Sequence, residues 1–178
     1  GMAALADIKG AARMGFLLLN GGKGMKASIV ERNPQSWLGY HLQGPWQETV
    51  PRGFNQLKSW VEQHGVEGEW LAIYYGNPEV LPPEELRVET VITASTDAVP
   101  SYGDDIEQGL LPGGQYFHAR MEVMNNDFFT AWHSLFDHLK TKTDWQVDNR
   151  PCFEHYLSDG SDSGDWLVDM YIPVRAAD

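Results

Sequence analysis

The 178-residue sequence predicts an α+β fold built from two strand–helix–strand–strand modules in a pseudo-two-fold arrangement, with antiparallel sheets, a central cleft and helices on the opposite face. Three observations predict it. Two segments carry apolar residues at helical spacing, each preceded by strand-like sequence and followed by two more strand-like runs. The order of elements in the first half recurs in the second, as a duplicated module reads. Each half alone offers three strands and one helix, so joining the halves is the natural way to bury what one helix leaves uncovered.

The elements follow in chain order. Lys26-Ala-Ser-Ile-Val-Glu31 and Trp37-Leu-Gly-Tyr-His-Leu-Gln43 read as strands, ended by Gly44-Pro45. Val50, Phe54, Leu57 and Val61 are spaced 4, 3 and 4 and form one apolar helical stripe. Pro51 is expected in the first turn of that helix, where its missing N–H costs little, and Gly65 at its C-terminal stop. Trp70 to Tyr75 and Arg87 to Thr93 read as two further strands around a Pro-rich loop.

The second pass begins with Gln115 to Val123 as a strand after Gly113-Gly114. Asn126 is the expected N-cap of a helix carrying Phe128, Phe129, Trp132, Leu135, Phe136 and Leu139. Phe153 to Leu157 and Trp166 to Val174 are the last strands, separated by the turn-rich Asp159 to Asp165. A shift of 75 residues places Phe54 on Phe129, Leu57 on Trp132 and Val61 on Phe136; a shift of 80 places Val88 on Val168 and Ile92 on Ile172. Module one is thus 25–97 and module two 107–175, within a single domain over 25–178. Residues 1–24, rich in Gly and Ala, read as a poorly ordered extension that begins like a tag remnant. Met25, followed at once by strand-like sequence, is a second candidate start besides Met2.

Composition narrows the function. Apolar residues make up 42% and charged residues 21%, an ordinary globular balance. The net charge of −12 repels phosphate backbones, so direct nucleic-acid binding is not expected. The same charge keeps a protein soluble, and it also suits a cationic ligand or a basic protein surface. The single cysteine, Cys152, forms no intramolecular disulfide, which fits a cytoplasmic location. No apolar run approaches the roughly 20 residues of a membrane span, so no membrane partner is expected.

Cys152-Phe-Glu-His-Tyr-Leu157 is the most informative stretch. Alternation puts Phe153, His155 and Leu157 on one face and Glu154 and Tyr156 on the other. Assigning Phe153 and Leu157 to the helix-covered face sends Glu154 and Tyr156 into the cleft. Tyr75, the repeat partner of Tyr156, joins them with Tyr116, Trp166 and Tyr171 as a ligand-binding set, and Ile73 is expected opposite Glu154. A carboxylate among aromatic rings attracts a cation whose flat body stacks on them. No HExxH spacing, calcium loop or phosphate cradle is complete, so no metal or cofactor is expected.

The assembled residues resemble a known family. Gly39-Tyr-His-Leu-Gln-Gly-Pro-Trp46, Trp70-Leu-Ala-Ile-Tyr-Tyr-Gly-Asn-Pro78, Gly113-Gly-Gln-Tyr116, Pro151-Cys-Phe-Glu-His-Tyr-Leu157 and Met170-Tyr-Ile-Pro-Val174 are similar to the GyrI-like small-molecule-binding family, in its DNA gyrase inhibitory (SbmC-like) branch. The resemblance covers about Met25 to Arg175. It implies two modules around a cleft that takes amphipathic, cationic or aromatic compounds, with Glu154 matching the family's cleft acid. It also implies protection from toxic or DNA-damaging agents, and DNA gyrase as a second candidate partner. A third implied activity is hydrolysis of cyclopropane-bearing drugs, which would use Glu154 with Tyr156. The Gly113-Gly-Gln-Tyr116 stretch associated with the gyrase effect is present between different flanks, Leu111-Pro112 and Phe117-His118.

Overall fold

The computed structural model describes residues 25–94 and 105–178; the 1–24 extension and the last residues assigned to module one, 95–97, lie outside the described residues. Among those described, two helices pack on one large antiparallel sheet. The elements are β1 (Ala27–Arg32), β2 (Gln35–Gln43), α1 (Trp46–His64), β3 (Trp70–Tyr75), β4 (Arg87–Thr93), β5 (Glu107–Leu111), β6 (Gly114–Val123), α2 (Phe128–Lys140), β7 (Trp145–Val147), β8 (Cys152–Tyr156) and β9 (Trp166–Ala176). The order across the sheet is β1-β6-β9-β8-β3-β4-β2-β5, with β7 on the outer part of β9.

The repeat is visible in that order. The halves β2-β4-β3 and β6-β9-β8 mirror each other about the β3–β8 pair, each under its own helix. The edge strands are exchanged: β1 precedes β2 but pairs with β6, while β5 precedes β6 but pairs with β2.

This exchange bends the sheet. Asn33-Pro34 alone links β1 to β2 and Pro112-Gly113 alone links β5 to β6, although the linked strands lie near opposite ends of the order. Such a link reaches at most about 11 Å, so the two ends must meet. They touch at the links, where a side chain on Gly113 would lie 2.6 Å from the Pro34 ring. Arg150 ties the closure, donating to the carbonyls of Gly113, Gln115 and Val174. The helix-free face is therefore wrapped around a core of its own: Trp37, Leu71, Ile73, Val91, Leu111, Tyr116, Phe153 and Tyr171.

That second core corrects two expectations. The helix-free face holds packed side chains where the sequence reading put an open cleft. Phe153 belongs to it, so the alternation along β8 holds but its polarity is reversed: Glu154 and Tyr156 lie on the helix side. Under α1 the core is Leu38, Leu57, Trp60, Ala72, Tyr74 and Val88; under α2 it is Phe117, Met121, Trp132, Leu135, Val168 and Met170. Each of these side chains larger than Ala72 contributes about 1.5–3 kcal/mol on full burial.

The helix ends differ in detail from expectation. α1 begins at Trp46, so Pro51 lies in its interior and not in the first turn. Gly65 stops it as expected, in the left-handed conformation with its N–H donating to Val61 O at 2.8 Å. The N-cap of α2 is Asp127, whose carboxylate accepts the Thr130 N–H; Asn126, one residue earlier, is left-handed at φ 57°. Strands β5 and β7 are short and carry no clear alternation, and the sequence reading missed both.

Candidate functional site: a cavity between the helices

A cavity of about 720 Å³ opens on the helix side, between α1 and the start of α2. Its aromatic wall is Trp46 and Phe54 from α1, Trp70 at the start of β3, Phe128 at the start of α2, Tyr156 at the end of β8 and Trp166 at the start of β9. The rings pack on one another edgewise or tilted. Phe54 meets Tyr156 at 5.3 Å and 85°, and Tyr156 meets Trp166 at 5.3 Å and 52°. Val50, Pro51 and Leu157, several neutral polar groups and one ion pair, Lys58 with Asp159, complete the lining.

The wall exists because α1 carries more apolar side chains than its core needs. The residues it buries are Trp46, Thr49, Gly53, Leu57 and Trp60. Val50 and Phe54, read in the sequence as part of the buried stripe, sit one flank over and face the cavity. Thr49 and Gly53 do not read as apolar, which displaced the expected stripe towards Val50 and Phe54.

Beneath the cavity lies Glu154, fully buried. Its Oε1 accepts the hydroxyls of Tyr74 at 2.7 Å and Tyr156 at 2.5 Å, and its Oε2 accepts the Trp132 indole N–H at 2.6 Å. The carboxylate thus joins both modules and α2. Burial, then the nearby charge of Glu154, pushes the hydroxyls of Tyr74 and Tyr156 well above the usual tyrosine range, so both remain protonated donors. Tyr156 is the link between acid and cavity, donating to Glu154 while its ring forms part of the wall.

The register places Ala72, not Ile73, opposite Glu154. That one-residue difference exchanges Tyr75 for Tyr74 as the tyrosine that meets the acid, because a one-residue slip moves every side chain to the other face. Tyr75 points to the helix-free side and donates to Glu89 at 2.7 Å.

The six residues proposed from sequence therefore divide. Tyr156 and Trp166 line the cavity and Glu154 lies buried behind Tyr156; Tyr75, Tyr116 and Tyr171 lie on the opposite face. There the rings are already capped by the protein's own cations: Arg32 over Tyr171 at 4.8 Å, Arg150 over Tyr116 at 4.6 Å and Arg87 over Tyr75 at 5.6 Å. Tyr171 also stacks on Phe153 at 4.4 Å. Nearby, burial raises the Asp169 carboxyl, but hydrogen bonds with Arg120 and His118 outweigh it and hold the group below its usual range. The cavity residues missed in sequence are Trp46, Phe54, Trp70 and Phe128. The available signal was aromatic residues at the first position of both helices, Trp46 and Phe128, and of the strands β3 and β9, Trp70 and Trp166.

The sequence matches the GyrI-like small molecule binding domain over residues 25–175. The chain belongs to the GyrI-like family. A DNA gyrase inhibitor of Pantoea sp. (strain At-9b) is 64% identical over 151 residues, covering 85% of this chain and 99% of that protein. Among solved structures, the EcmrR C-terminal domain is similar with a TM-score of 0.67 at 10% identity, over 87% of this chain and 100% of that one. SAV2435 bound to tetraphenylphosphonium is similar with a TM-score of 0.57 at 11% identity, over 85% of this chain and 94% of that one. At such identities the two structures speak to the fold alone. Among the described residues of this GyrI-like chain, no helix is long and apolar enough to cross a membrane, and no group of three His, Cys, Asp or Glu side chains is arranged to hold a metal ion.

Proposed function

We propose that this GyrI-like protein binds an amphipathic, aromatic and cationic small molecule in the cavity between its helices, in a role protective against toxic or DNA-damaging compounds. The observation that carries the reading is the aromatic cavity of about 720 Å³ above a buried carboxylate. Its volume lies in the range of drug-sized ligand sites, roughly 300–1,000 Å³. The wall supplies faces for stacking, and Glu154 supplies negative potential through Tyr156. The similar fold of SAV2435, described as bound to tetraphenylphosphonium, supports the same ligand class.

The test is calorimetric titration with tetraphenylphosphonium and with neutral triphenylphosphine oxide. The protein should prefer the cation, and Glu154→Gln should reduce that preference by ~1–3 kcal/mol, the scale of a lost charge-assisted interaction. Equal affinities for the two compounds in the wild type would overturn the charge part of the reading.

A second reading, inhibition of DNA gyrase by direct contact, is favoured by the 64% identical relative that bears that name. A net charge of −12 suits a basic DNA-binding groove. A supercoiling assay decides it, since absence of inhibition at micromolar protein across a salt series rejects it. Hydrolysis is less favoured by the geometry: both oxygens of Glu154 already accept protein donors, whereas a general base must reach a water.

A further inference from the structure

Glu154 is fully buried beneath three donors, so an entering ligand does not meet it first. The charged groups that the cavity itself presents are different ones. Among the described residues lining it, Lys58 is the single Lys or Arg and Asp159 the single acid. Lys58 comes from α1 of the first module, one turn beyond Phe54. Asp159 comes from the β8–β9 link of the second, three residues after Tyr156. Lys58 Nζ stands 3.7 Å from Asp159 Oδ2, with side chains 45% and 65% exposed. The acid is held in place independently of the lysine: Asp159 Oδ1 accepts the Ser161 N–H at 2.9 Å. Hydrogen bonds from Ser161 also keep its carboxyl below the usual range, so it is ionised at neutral pH.

We propose that Asp159 is the cation-accepting subsite at the cavity mouth and that Lys58 is its resident counter-ion, which a cationic aromatic ligand displaces on entry. The proposal rests on the ligand-binding reading above and adds to it the group a ligand cation contacts. The chemistry is a charge exchange. An exposed pair of this kind is weak and salt-screened. A cation stacked on the aromatic wall takes its place against Asp159, and the freed lysine is solvated. Lys58 therefore acts as an internal competitor that lowers affinity for cations and leaves neutral aromatic compounds unaffected.

The experiment compares tetraphenylphosphonium and triphenylphosphine oxide on the full chain at low ionic strength. The variants are Lys58→Gln, Asp159→Asn, the double variant, and Lys140→Gln. The last removes a remote lysine on α2, 78% exposed and outside the cavity lining, and so controls for net charge. Lys58→Gln should tighten the cation by about threefold to fivefold beyond the Lys140→Gln effect, and Asp159→Asn should weaken it by a similar factor. In the Asp159→Asn background Lys58→Gln should tighten the cation by less than it does in the wild type, because only the repulsion between lysine and ligand is relieved there, and the neutral compound should respond to neither variant. If Lys58→Gln equals Lys140→Gln, or tightens the cation as much without Asp159 as with it, the subsite assignment is overturned while the cavity reading stands. If the wild type binds neither compound, both fall together.

Discussion

Replacing Trp132 by Phe probes the buried carboxylate that joins the two modules. Trp132 is 1% exposed and its indole N–H lies 2.6 Å from Glu154 Oε2, itself fully buried. Phenylalanine keeps an aromatic ring in the core and removes that donor from a charged acceptor. Loss of a hydrogen bond to a charged group costs about 1.5–3 kcal/mol, and the smaller ring adds roughly 1 kcal/mol of lost packing. The expected destabilisation is therefore about 2.5–4 kcal/mol. Urea unfolding should show a lower midpoint with an unchanged slope, and the melting temperature should fall by roughly 5–15 °C. Tyr156→Phe is the companion: its ring stays in the wall and Tyr74 still donates to the same oxygen, so about 1 kcal/mol should be lost. A Trp132→Phe protein that unfolds at the wild-type midpoint, or one more stable than Tyr156→Phe, would refute the account of Glu154 as a carboxylate satisfied from both modules.

Further outcomes follow from the same geometry. Trp166→Ala should weaken tetraphenylphosphonium about tenfold or more, whereas Tyr171→Phe should leave its affinity unchanged, since that ring stacks on Phe153 across the sheet from the cavity. Stability should fall as pH rises above about 10: unfolded tyrosines ionise there, while Tyr74 and Tyr156 keep their protons to higher pH in the native state. Each such tyrosine contributes a slope of up to about 1.4 kcal/mol per pH unit, so Tyr74→Phe should flatten the dependence measured by urea unfolding at pH 9, 10 and 11. Desolvation pushes the half-buried Cys152 thiol up to about 12, so a thiol reagent at pH 8 should react far more slowly with the native protein than with the unfolded chain; equal rates would contradict the raised thiol.

The repeat, both helices and most strands of this chain were legible in its sequence because they rest on periodicity. The second core was not. It arises from the exchanged strands β1 and β5, and the two short links that force the sheet ends together carry no hydrophobic signal of their own. Without that core, Phe153 looks like a residue for the helix-covered face, and every assignment along β8 inherits the wrong polarity. Alternation states which residues share a face and says nothing about which face is which. The acid expected to face the cleft lies instead fully buried behind it, with Glu154 accepting from Tyr74, Tyr156 and Trp132, while Tyr156 and Trp166 line the cavity. The tyrosine opposite it was misread by one position, as Tyr75 for Tyr74, because the repeat aligns by pattern and a strand register is exact to the residue. Phe54 was found but assigned to the core, since apolar character is the same for a residue that buries itself and for one that awaits a ligand.

The most direct test is a crystal structure of the protein grown with tetraphenylphosphonium. The account predicts the aryl cation on the helix side, stacked among Phe54, Tyr156 and Trp166 with Asp159 facing its charge. Density on the helix-free face, against Tyr116 and Tyr171 with their arginines displaced, would contradict it.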